Sequence, residues 1–546
     1  MVSSDKEEVD ILLINPPFFQ TPADQSYSYY YPPLGLLYVG TVLKEKGYKV
    51  KIYNPVFEQK YITVNEPGYP PITPRQRKEF KERFIGYPRS PEWVKMISDL
   101  SSIKPKVVGI TMMTPQYDLA VLMARCVKEQ NPAIPVIVGG VHPSALPHET
   151  IANDEFDVVV YGEGEKTAEE LMNVFIHGHA TLSGVNGILF KDDGKVIENP
   201  PRELAQDLDS LPFPMPDPVY EKHPRRAILT SRGCYFRCTF CSQSSILGRK
   251  VRFRSAKNVV DEIEFWYRRG IRQFIIQDST FTSDIKRSMG IMELILERRL
   301  KIKWGFQSRV NLLPRELIAK AQEAGCEYIW IGVESGDPDI LKAIKKGITL
   351  DQVRRAVGLI KEFKMETYLY FILGFVEDTK ETMERTQEFA KELDCYQTSF
   401  FMLTPFPGSE TFDRLAADDR LMTRDYFFYF WLYPYLIKRK DPSNIEVWSY
   451  YQEVKAFWAD KKMEDVRRRS LQPGFVWKKI KENAYSPKAM MRLGRKFVNA
   501  FLRPAPAETI NLDLPSQAME EIDEALMAAT AIDEQPVANE AANRND

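Results

Sequence analysis

The strongest constraint on the fold is a repeated alternation of short β-rich runs with amphipathic helical segments. The first strand pattern covers residues 9–15, a helical pattern follows over 33–46, and residues 49–53 form a second strand pattern. The order then repeats, with further patterns over residues 107–111, 118–130, 135–140 and 157–161. A crossover between two strands of this kind places them parallel in one sheet. The alternation therefore predicts an α/β fold that begins with a doubly wound, Rossmann-like parallel sheet over residues 9–190.

A proline-rich segment follows this first domain. Proline occupies every second position from 212 to 218, and it can neither continue a helix nor pair in the interior of a sheet. Residues 191–222 are therefore predicted to be a linker. A proline-rich ligand motif for another protein is the alternative, which a position between two domains disfavours.

Six further strand patterns alternate with helices beyond the linker. They cover residues 226–231, 273–278, 302–309, 328–334, 367–374 and 398–404. Six βα units predict a partial (β/α)6 TIM-type barrel over residues 223–417. In such a barrel the chemistry belongs at the carboxyl ends of the strands.

Three of the six cysteines lie within eight residues, directly after the first strand pattern of the barrel. Cys234, Cys238 and Cys241 have the spacing C-x3-C-x2-C. Three thiolates so spaced can ligate three irons of a [4Fe-4S] cluster and leave the fourth iron open. A zinc site is the alternative, but zinc takes four ligands, and no second pair of cysteines lies nearby in the sequence.

Polar residues and glycine recur where the predicted barrel strands end. The candidates are Asp278, Ser308, Arg309, Glu334 and Gly374. An arginine at such an edge can hold a carboxylate through two parallel hydrogen bonds. Each charged residue could instead be one half of an internal ion pair, but their recurrence at successive strand ends favours a ligand site.

Small residues also follow three strand patterns of the first domain. The candidates there are Thr111, Thr114, Gly139, Gly140, Gly162 and Glu163. In open α/β sheets ligands bind outside the carboxyl ends of the strands, and glycine permits close approach of the backbone. Tight strand-to-helix turns without a ligand are the alternative.

The run CYFRCTFC at residues 234–241 resembles the signature of the radical S-adenosylmethionine (radical SAM) enzymes, and GVES at 332–335 is similar to their GxES motif. The first domain resembles the cobalamin-binding domain that precedes the radical SAM core in one large subclass. The similar stretches are NPP, PPLGLLYVGTVLKEKGY, GGVHPSALP and GEGE, followed by the connector LPxPxxD. The resemblance covers roughly residues 9–415.

This resemblance implies roles for the candidate residues. The open iron would bind the amino and carboxylate groups of SAM, with Asp278 near the amino group and Glu334 accepting hydrogen bonds from the ribose. Phe240 would lie beside the adenine, and a plain core aromatic is the alternative interpretation. The glycine-rich loops of the first domain would surround the nucleotide tail of cobalamin.

One departure concerns the cobalt ligand. Proteins that ligate cobalt through histidine carry D-x-H-x-x-G, and this run does not occur in the chain. His142 follows a strand pattern and is not predicted to bind cobalt. Members of the subclass often lack that histidine and still bind cobalamin.

The implied function is that of an enzyme using a [4Fe-4S] cluster, SAM and cobalamin to methylate an unactivated carbon of a small or lipid-like substrate. An electron from an external donor such as ferredoxin or flavodoxin would cleave SAM to a 5′-deoxyadenosyl radical. Two alternatives stay open. The first is non-methylating cyclisation, ring contraction or carbon–carbon coupling on a tetrapyrrole or lipid, and the second is an iron–sulfur binding or sensor protein.

Composition bounds the partners and the compartment. The net charge is −1, so global electrostatics favour no nucleic acid. The first residues are polar, which is not typical of a signal peptide. The chain also has no apolar run long enough for a transmembrane helix, so neither feature is expected. Few cysteines, three of them in the cluster motif, predict a reducing cytoplasm.

The C-terminal part has a distinct composition. Residues 418–504 are predicted to be a basic, aromatic and mainly helical region, with 13 Lys or Arg against 3 Asp or Glu between 461 and 504. Two interpretations stay open: a solvated basic face packed on the enzyme, or peripheral contact with an anionic membrane. An aromatic run over 426–437 is predicted to cap the barrel mouth, and residues 505–546, with 10 acidic residues, are predicted to be disordered.

Overall fold

A computed structural model describes residues 7–17, 32–55, 70–216, 224–395, 397–430, 433–470 and 491. Within these ranges the chain forms a mainly parallel seven-stranded sheet, a parallel six-stranded sheet, a short two-stranded hairpin and a long C-terminal helix. The predicted fold class is confirmed.

The first sheet has seven strands in the order β2-β1-β3-β4-β5-β6-β7. The strands are β1 (Glu7–Ile14), β2 (Val50–Tyr53), β3 (Ile103–Thr111), β4 (Val136–Gly139), β5 (Val158–Val160), β6 (Ile188–Asp192) and β7 (Lys195–Glu198). The first five run parallel, whereas β6 and β7 form an antiparallel hairpin at the edge. The sheet therefore continues beyond residue 190, where the sequence pattern ends the first domain, since a short edge hairpin leaves only a weak periodic signal.

Helices cover both faces of this sheet. They are α1 (Leu34–Glu45), α2 (Pro74–Ile85), α3 (Pro91–Ser101), α4 (Tyr117–Gln130), α5 (Val141–Ala145), α6 (Pro147–Ile151) and α7 (Glu165–Met172). The sequence patterns do not include α2 and α3, although both carry start signals. Thr73 and Gln76 form a capping box at α2, Ser90 caps α3, and each helix has proline near its first position.

The second sheet has six parallel strands in the order β15-β14-β13-β12-β11-β8. Its strands and the hairpin β9–β10 are β8 (Arg225–Ile228), β9 (Ser231–Arg232), β10 (Arg252–Phe253), β11 (Gln273–Ile276), β12 (Lys303–Ser308), β13 (Cys326–Glu334), β14 (Glu366–Leu373) and β15 (Gln397–Met402). The helices are α8 (Gln243–Ile246), α9 (Ala256–Arg268), α10 (Ile285–Glu297), α11 (Arg315–Glu323), α12 (Pro338–Ala343), α13 (Leu350–Glu362), α14 (Lys380–Leu393) and α15 (Glu410–Ala417). The six predicted strands all form, because their apolar patterns persist through the buried centre of the sheet.

The described part of the linker packs against both domains. The Met215 amide donates to Thr41 Oγ1 of α1 at 2.7 Å, and Arg254 lies over the Phe213 ring at 5.4 Å. The linker therefore forms part of the interface and is not a loose tether.

The C-terminal region also joins the two domains. Lys81 of α2 pairs with Asp118 at 3.2 Å and with Asp425 at 2.8 Å, and the Tyr433 hydroxyl donates to the Pro71 carbonyl at 2.6 Å. The following helix α16 (Asn444–Ser470) packs along β15.

Part of the predicted basic region lies outside the described residues. This applies to 471–490 and 492–504, and also to the whole acidic tail at 505–546. Among the helices of the described ranges, none combines the length and the apolar character that a membrane span needs.

Candidate active site

The loop that carries the three cysteines lies beyond the carboxyl end of β8, between β9 and α8. Gly233 turns the chain out of β9 with a φ of 97°, and an added Cβ would lie 2.6 Å from the Lys250 carbonyl oxygen. The Thr239 amide donates to the Ile344 carbonyl at 3.1 Å. The loop is thus held by backbone contacts on both sides of the second cysteine.

The three thiols influence one another. Burial raises the pKa of Cys234, and it raises the pKa of Cys241 to about 11. Cys238 raises both pKa values further, whereas Lys346 lowers both and Arg309 lowers that of Cys234. A bound cation would favour the thiolate forms, since it reverses the effect of burial.

The spacing of the three thiols is compatible with an iron–sulfur cluster. In the described part of the chain, no three His, Cys, Asp or Glu side chains lie close enough together to hold one metal ion. A cluster takes each thiolate on a separate iron, so its ligands stand further apart than the donors of one zinc.

Arg309 is a cation in contact with the second cysteine. Its Nη1 donates to the Cys238 sulfur at 3.5 Å, and its Cζ lies 3.7 Å from the centre of the Phe236 ring. Its Nη2 donates to the Lys346 carbonyl oxygen. The guanidinium is therefore held at the cluster loop and is not free to turn away.

Glu334 and Lys346 form a buried ion pair at the end of β13. Lys346 Nζ donates to Glu334 Oε1 at 2.7 Å, and both side chains are at most 10% exposed. Glu334 has a φ of 74°, a left-handed conformation that is rare for a non-glycine residue. Sequence reasoning missed Lys346, because no motif marks the partner of a carboxylate twelve residues away.

Asp278 anchors the start of the cysteine loop. Its fully buried carboxylate accepts hydrogen bonds from the amide and hydroxyl of both Thr230 and Ser231. The predicted contact with the amino group of SAM stays a prediction, and the structure shows that this carboxylate holds the loop. Ser308 is also buried, and its hydroxyl bonds that of Thr282.

Phe240 contacts Phe375, the residue that follows Gly374, beside the C-terminal region. The ring of Phe240 makes an edge contact with Phe375 at 5.7 Å. Gly374 has a φ of 78°, and Arg439 donates to its carbonyl and to that of Phe375. Burial lowers the pKa of Arg439 to about 10 and raises the pKa of Asp378 to about 6.

The loops after β3 and β4 approach each other closely in the first domain. Gly140 has a φ of 113°, and an added Cβ would lie 2.9 Å from the Met112 carbonyl and 3.0 Å from Thr111 Oγ1. The Met112 amide donates to the Gly139 carbonyl at 2.9 Å. Only glycine fits at position 140, so the two loops form one compact edge.

Gly162 continues this edge after β5. Its φ is 81°, its amide donates to Ser144 Oγ at 2.9 Å, and an added Cβ would meet nothing within 4 Å. Open space beside a glycine backbone suits close approach of a cofactor.

His142 is enclosed and is not presented to a ligand. Its Nδ1 lies 3.3 Å from Thr114 Oγ1, and its ring packs against Tyr117 and Tyr426 at 5.1 and 4.6 Å. Burial lowers its pKa to about 4. Its Nε2 has no hydrogen-bond partner among the described residues.

Glu163 reaches across to the second domain. Its carboxylate accepts hydrogen bonds from Arg232 at 3.0 Å, from Arg252 at 2.9 Å and from the Ala205 amide at 2.7 Å. Burial alone would raise the pKa of Glu163, but these donors hold it below its ordinary value. The predicted role of Glu163 at the cobalamin tail stays a prediction, and its carboxylate already has three donors.

Two sequence models of known families match separate parts of the chain. The model described as "Radical SAM superfamily" matches residues 228–390, and the model described as "B12 binding domain" matches residues 75–172. An uncharacterised methyltransferase of Pyrococcus horikoshii is 32% identical over 403 residues, which cover 72% of this chain and 81% of the relative. The chain belongs to the radical SAM enzymes that carry a B12-binding domain.

Further comparisons agree with this radical SAM assignment. The anaerobic magnesium-protoporphyrin IX monomethyl ester cyclase of Rubrivivax gelatinosus is 31% identical over 331 residues, which cover 58% of this chain and 60% of the cyclase. The structure of the cobalamin-dependent SAM radical enzyme OxsB with aqua-cobalamin bound superposes with a TM-score of 0.63 at 16% identity, covering 97% of this chain and 80% of OxsB. That likeness shows the fold.

This radical SAM enzyme uses a [4Fe-4S] cluster, SAM and cobalamin. The domains and the methyltransferase relatives support cobalamin-dependent radical SAM methylation.

Proposed function

We propose that this enzyme transfers a methyl group to an unactivated carbon of a small or lipid-like substrate. The observation that carries the proposal is that the loop after β5 of the B12-binding domain contacts the strand leading to the cluster cysteines, through Glu163 and Arg232. A radical methylation needs both cofactors to reach one substrate atom, so their loops must lie face to face.

Within the second domain we assign the cluster to Cys234, Cys238 and Cys241. A [4Fe-4S] cluster held by these thiolates would supply, together with SAM, the one-electron cleavage that starts the reaction. The protein holds the cysteine loop in place. Asp278 contributes by accepting hydrogen bonds from Thr230 and Ser231 at the start of that loop. Arg309 offsets part of the negative charge of the thiolates.

Further second-domain residues are assigned to SAM. We expect Glu334 to bind the ribose, Phe240 and Gly374 to flank the adenine, and Ser308 and Arg309 to lie near the carboxylate end. Lys346 orients the Glu334 carboxylate by the 2.7 Å ion pair.

The first domain supplies the cobalamin site in this proposal. We expect its nucleotide tail to lie along the edge formed by Thr111, Thr114, Gly139, Gly140 and Gly162. The close approach of Gly140 to Met112 and the open space beside Gly162 support this assignment.

The experiment uses anaerobically reconstituted enzyme with SAM, a reductant and cobalamin, and a panel of lipid and small-molecule extracts as substrate sources. Methylation consumes two molecules of SAM, one giving 5′-deoxyadenosine and the other S-adenosylhomocysteine. We expect the two products in equal amounts, and label from methyl-labelled SAM in the extract. The variant with all three cysteines changed to alanine should lose its iron and both products; retention of the same iron would refute the cluster assignment.

A second candidate is a non-methylating radical cyclisation, and the 31% identity to the cyclase of Rubrivivax gelatinosus favours it. This reaction would form 5′-deoxyadenosine without S-adenosylhomocysteine. A sensor protein would hold the cluster and form neither product in turnover amounts.

The partners follow from the chemistry. The cluster needs an external electron donor, and ferredoxin or flavodoxin is the class we expect in a reducing cytoplasm. Peripheral membrane contact through the basic region stays a prediction, since residues 471–490 and 492–504 are outside the described part of the chain.

A further inference from the structure

We propose that Glu163, Arg232 and Arg252 form an interdomain ion bridge that positions the cluster loop against the B12-binding domain. The inference rests on the proposed function, because it assigns these residues the task of setting the geometry between the two cofactors. They are positioning residues, since their polar contacts are with one another, with Glu165 and with the backbone.

The bridge is buried, and short contacts join its side chains. Arg252 Nη1 lies 2.9 Å from both carboxylate oxygens of Glu163, and Arg232 Nη1 lies 3.0 Å from one of them. The second nitrogen of Arg232 donates to Glu165 at 2.6 Å. The four side chains are between 3% and 10% exposed.

The register of the β9–β10 hairpin explains why an anion is needed. Arg232 and Arg252 are direct cross-strand partners, and like charges in such positions repel. Neither arginine is paired by a carboxylate of its own domain in the described ranges. The hairpin is therefore neutralised by Glu163 and Glu165 of the B12-binding domain.

The bridge acts close to the cluster ligands. Arg232 is followed by Gly233 and then by Cys234, whose amide donates to the Gly248 carbonyl at 3.1 Å. An added Cβ at Gly233 would collide with the Lys250 carbonyl, so the turn has little freedom. A displacement of Arg232 relative to Glu163 would therefore also displace Cys234.

A second contact supports the same interface. An added Cβ at Gly408, in the loop after β15, would lie 3.3 Å from Ala145 of α5 in the B12-binding domain and 3.6 Å from Ser242, next to Cys241. The Ser245 hydroxyl donates to the Gly408 carbonyl at 2.5 Å. The segment that follows the third cysteine therefore also lies close to the first domain, on either side of Gly408.

A buried ion pair is a poor means of gaining stability, because the cost of removing charges from water offsets the attraction. Apolar residues of similar volume would join the domains as well. What a charged bridge adds is directional geometry, since an arginine and a carboxylate bind in a fixed planar arrangement.

The test measures the coupling between the cofactors directly and needs no substrate. In holoenzyme, cob(II)alamin and the reduced cluster are both paramagnetic, whereas the oxidised cluster is not. We expect the electron spin relaxation of cob(II)alamin to be faster with the reduced cluster than with the oxidised one. In Glu163→Gln and Arg252→Gln, this enhancement should be lost while iron and cobalamin content stay at the level of the unmodified enzyme.

The matched control is Glu262→Gln, which removes the carboxylate of a buried pair with Arg254 inside the second domain. It should lower thermal stability and leave the relaxation enhancement intact. If Glu163→Gln folds poorly, the double variant Glu163→Gln, Arg252→Gln removes both charges and leaves the Arg232–Glu165 pair, and it should also lose the enhancement.

Three outcomes separate the possibilities. An unchanged enhancement in folded bridge variants would overturn the inference. Loss of cobalamin from Glu163→Gln alone, with normal cobalamin in Arg252→Gln, would also overturn it and assign Glu163 to the cofactor. Absence of the cluster or cobalamin signal from the unmodified enzyme would instead refute the proposed function.

Discussion

Arg309 lies between the ring of Phe236 and the thiol of Cys238: its Cζ is 3.7 Å from the centre of the Phe236 ring, and its Nη1 is 3.5 Å from the Cys238 sulfur. Reduction adds negative charge to a cluster, so a nearby cation favours the reduced form. Hydrogen bonds to the sulfurs act in the same direction. Position 309 is therefore expected to tune the electron transfer that starts the reaction.

Changing Arg309 to Gln removes the positive charge and keeps an amide donor. We expect the midpoint potential of the cluster to become more negative by about 60 mV, a tenfold change for a one-electron couple. Potentiometric titration followed by electron paramagnetic resonance measures it. Arg315→Gln on α11, which breaks an exposed pair with Glu362 of α13, should leave the potential unchanged. A shift in both variants, or in neither, would contradict the assignment.

Gly332 lies beneath the Glu334 carboxylate. An alanine Cβ there would come within 2.2 Å of Glu334 Oε1 and 3.1 Å of Lys346 Nζ, so the carboxylate must move. We expect Gly332→Ala to weaken SAM binding about tenfold, or 1.4 kcal/mol, as measured by calorimetry on cluster-loaded enzyme. Gly358→Ala in α13, where an added Cβ meets nothing within 4 Å, should bind SAM normally and raise stability by about 0.5 to 1 kcal/mol; equal affinity in both variants would refute the ribose role of Glu334.

His142 makes the folding stability depend on pH. Burial lowers its pKa from 6.5 to about 4, so the folded chain binds this proton less tightly than the unfolded chain. The contribution of neutral His142 to the free energy of unfolding is fully present above about pH 6.5. It is lost as the pH falls towards 4, which lowers the free energy of unfolding by on the order of 2 to 3 kcal/mol. Denaturant unfolding across this range should show that loss in the unmodified protein and a smaller slope in His142→Gln.

The control for His142 is the exposed His148 on α6, whose change to glutamine should retain the slope. Asp378 changes the free energy of unfolding in the opposite direction with pH. Burial raises its pKa to about 6, so the stability that it contributes is lost as the pH rises through that value. The unmodified protein and the two histidine variants all contain Asp378, so its effect cancels when they are compared. Identical slopes in the His142 and His148 variants would show that His142 does not control the effect.

Arg439 attaches the C-terminal region to the end of β14. Its guanidinium donates to the carbonyl oxygens of Gly374 and Phe375. Arg439→Met removes the side-chain donor of the buried Gly374 carbonyl and leaves the Phe375 carbonyl with the Asp378 amide, so we expect a loss of about 1 to 3 kcal/mol in the free energy of unfolding. Arg424→Met, at an exposed pair with Glu149, should change stability by less than about 1 kcal/mol; equal losses would show that the carbonyl contacts are not decisive.

Regular elements could be predicted wherever the apolar pattern is long. The barrel strands follow from local periodicity, and the fold class that they imply is confirmed. The assignment of the three cysteines to a cluster follows from their spacing and stays a prediction. The β6–β7 hairpin was not predicted. Its strands are short, and apolar and polar residues alternate only weakly along them. Helices α2 and α3 had local start signals at Thr73 and Ser90 that periodicity alone does not reveal.

Partner choice could not be predicted in the same way. The expected roles of Asp278, Glu163 and Glu334 depend on which donors approach their carboxylates, and those donors come from residues 12 to 89 positions away. No sequence motif includes Lys346, Arg252 or Arg439, so their partners can be identified only from the folded structure.

By itself the sequence determined that two α/β units follow each other and that three thiols share one loop, because strand and helix periods and cysteine spacing are local properties of the chain. Only the tertiary structure decided that Glu163 is joined to Arg232 and Arg252, that Lys346 holds Glu334 and that Tyr426 closes over His142. Such pairings arise when separate elements are packed together, and the charges then left inside must find partners across the interface because burying them alone is too costly.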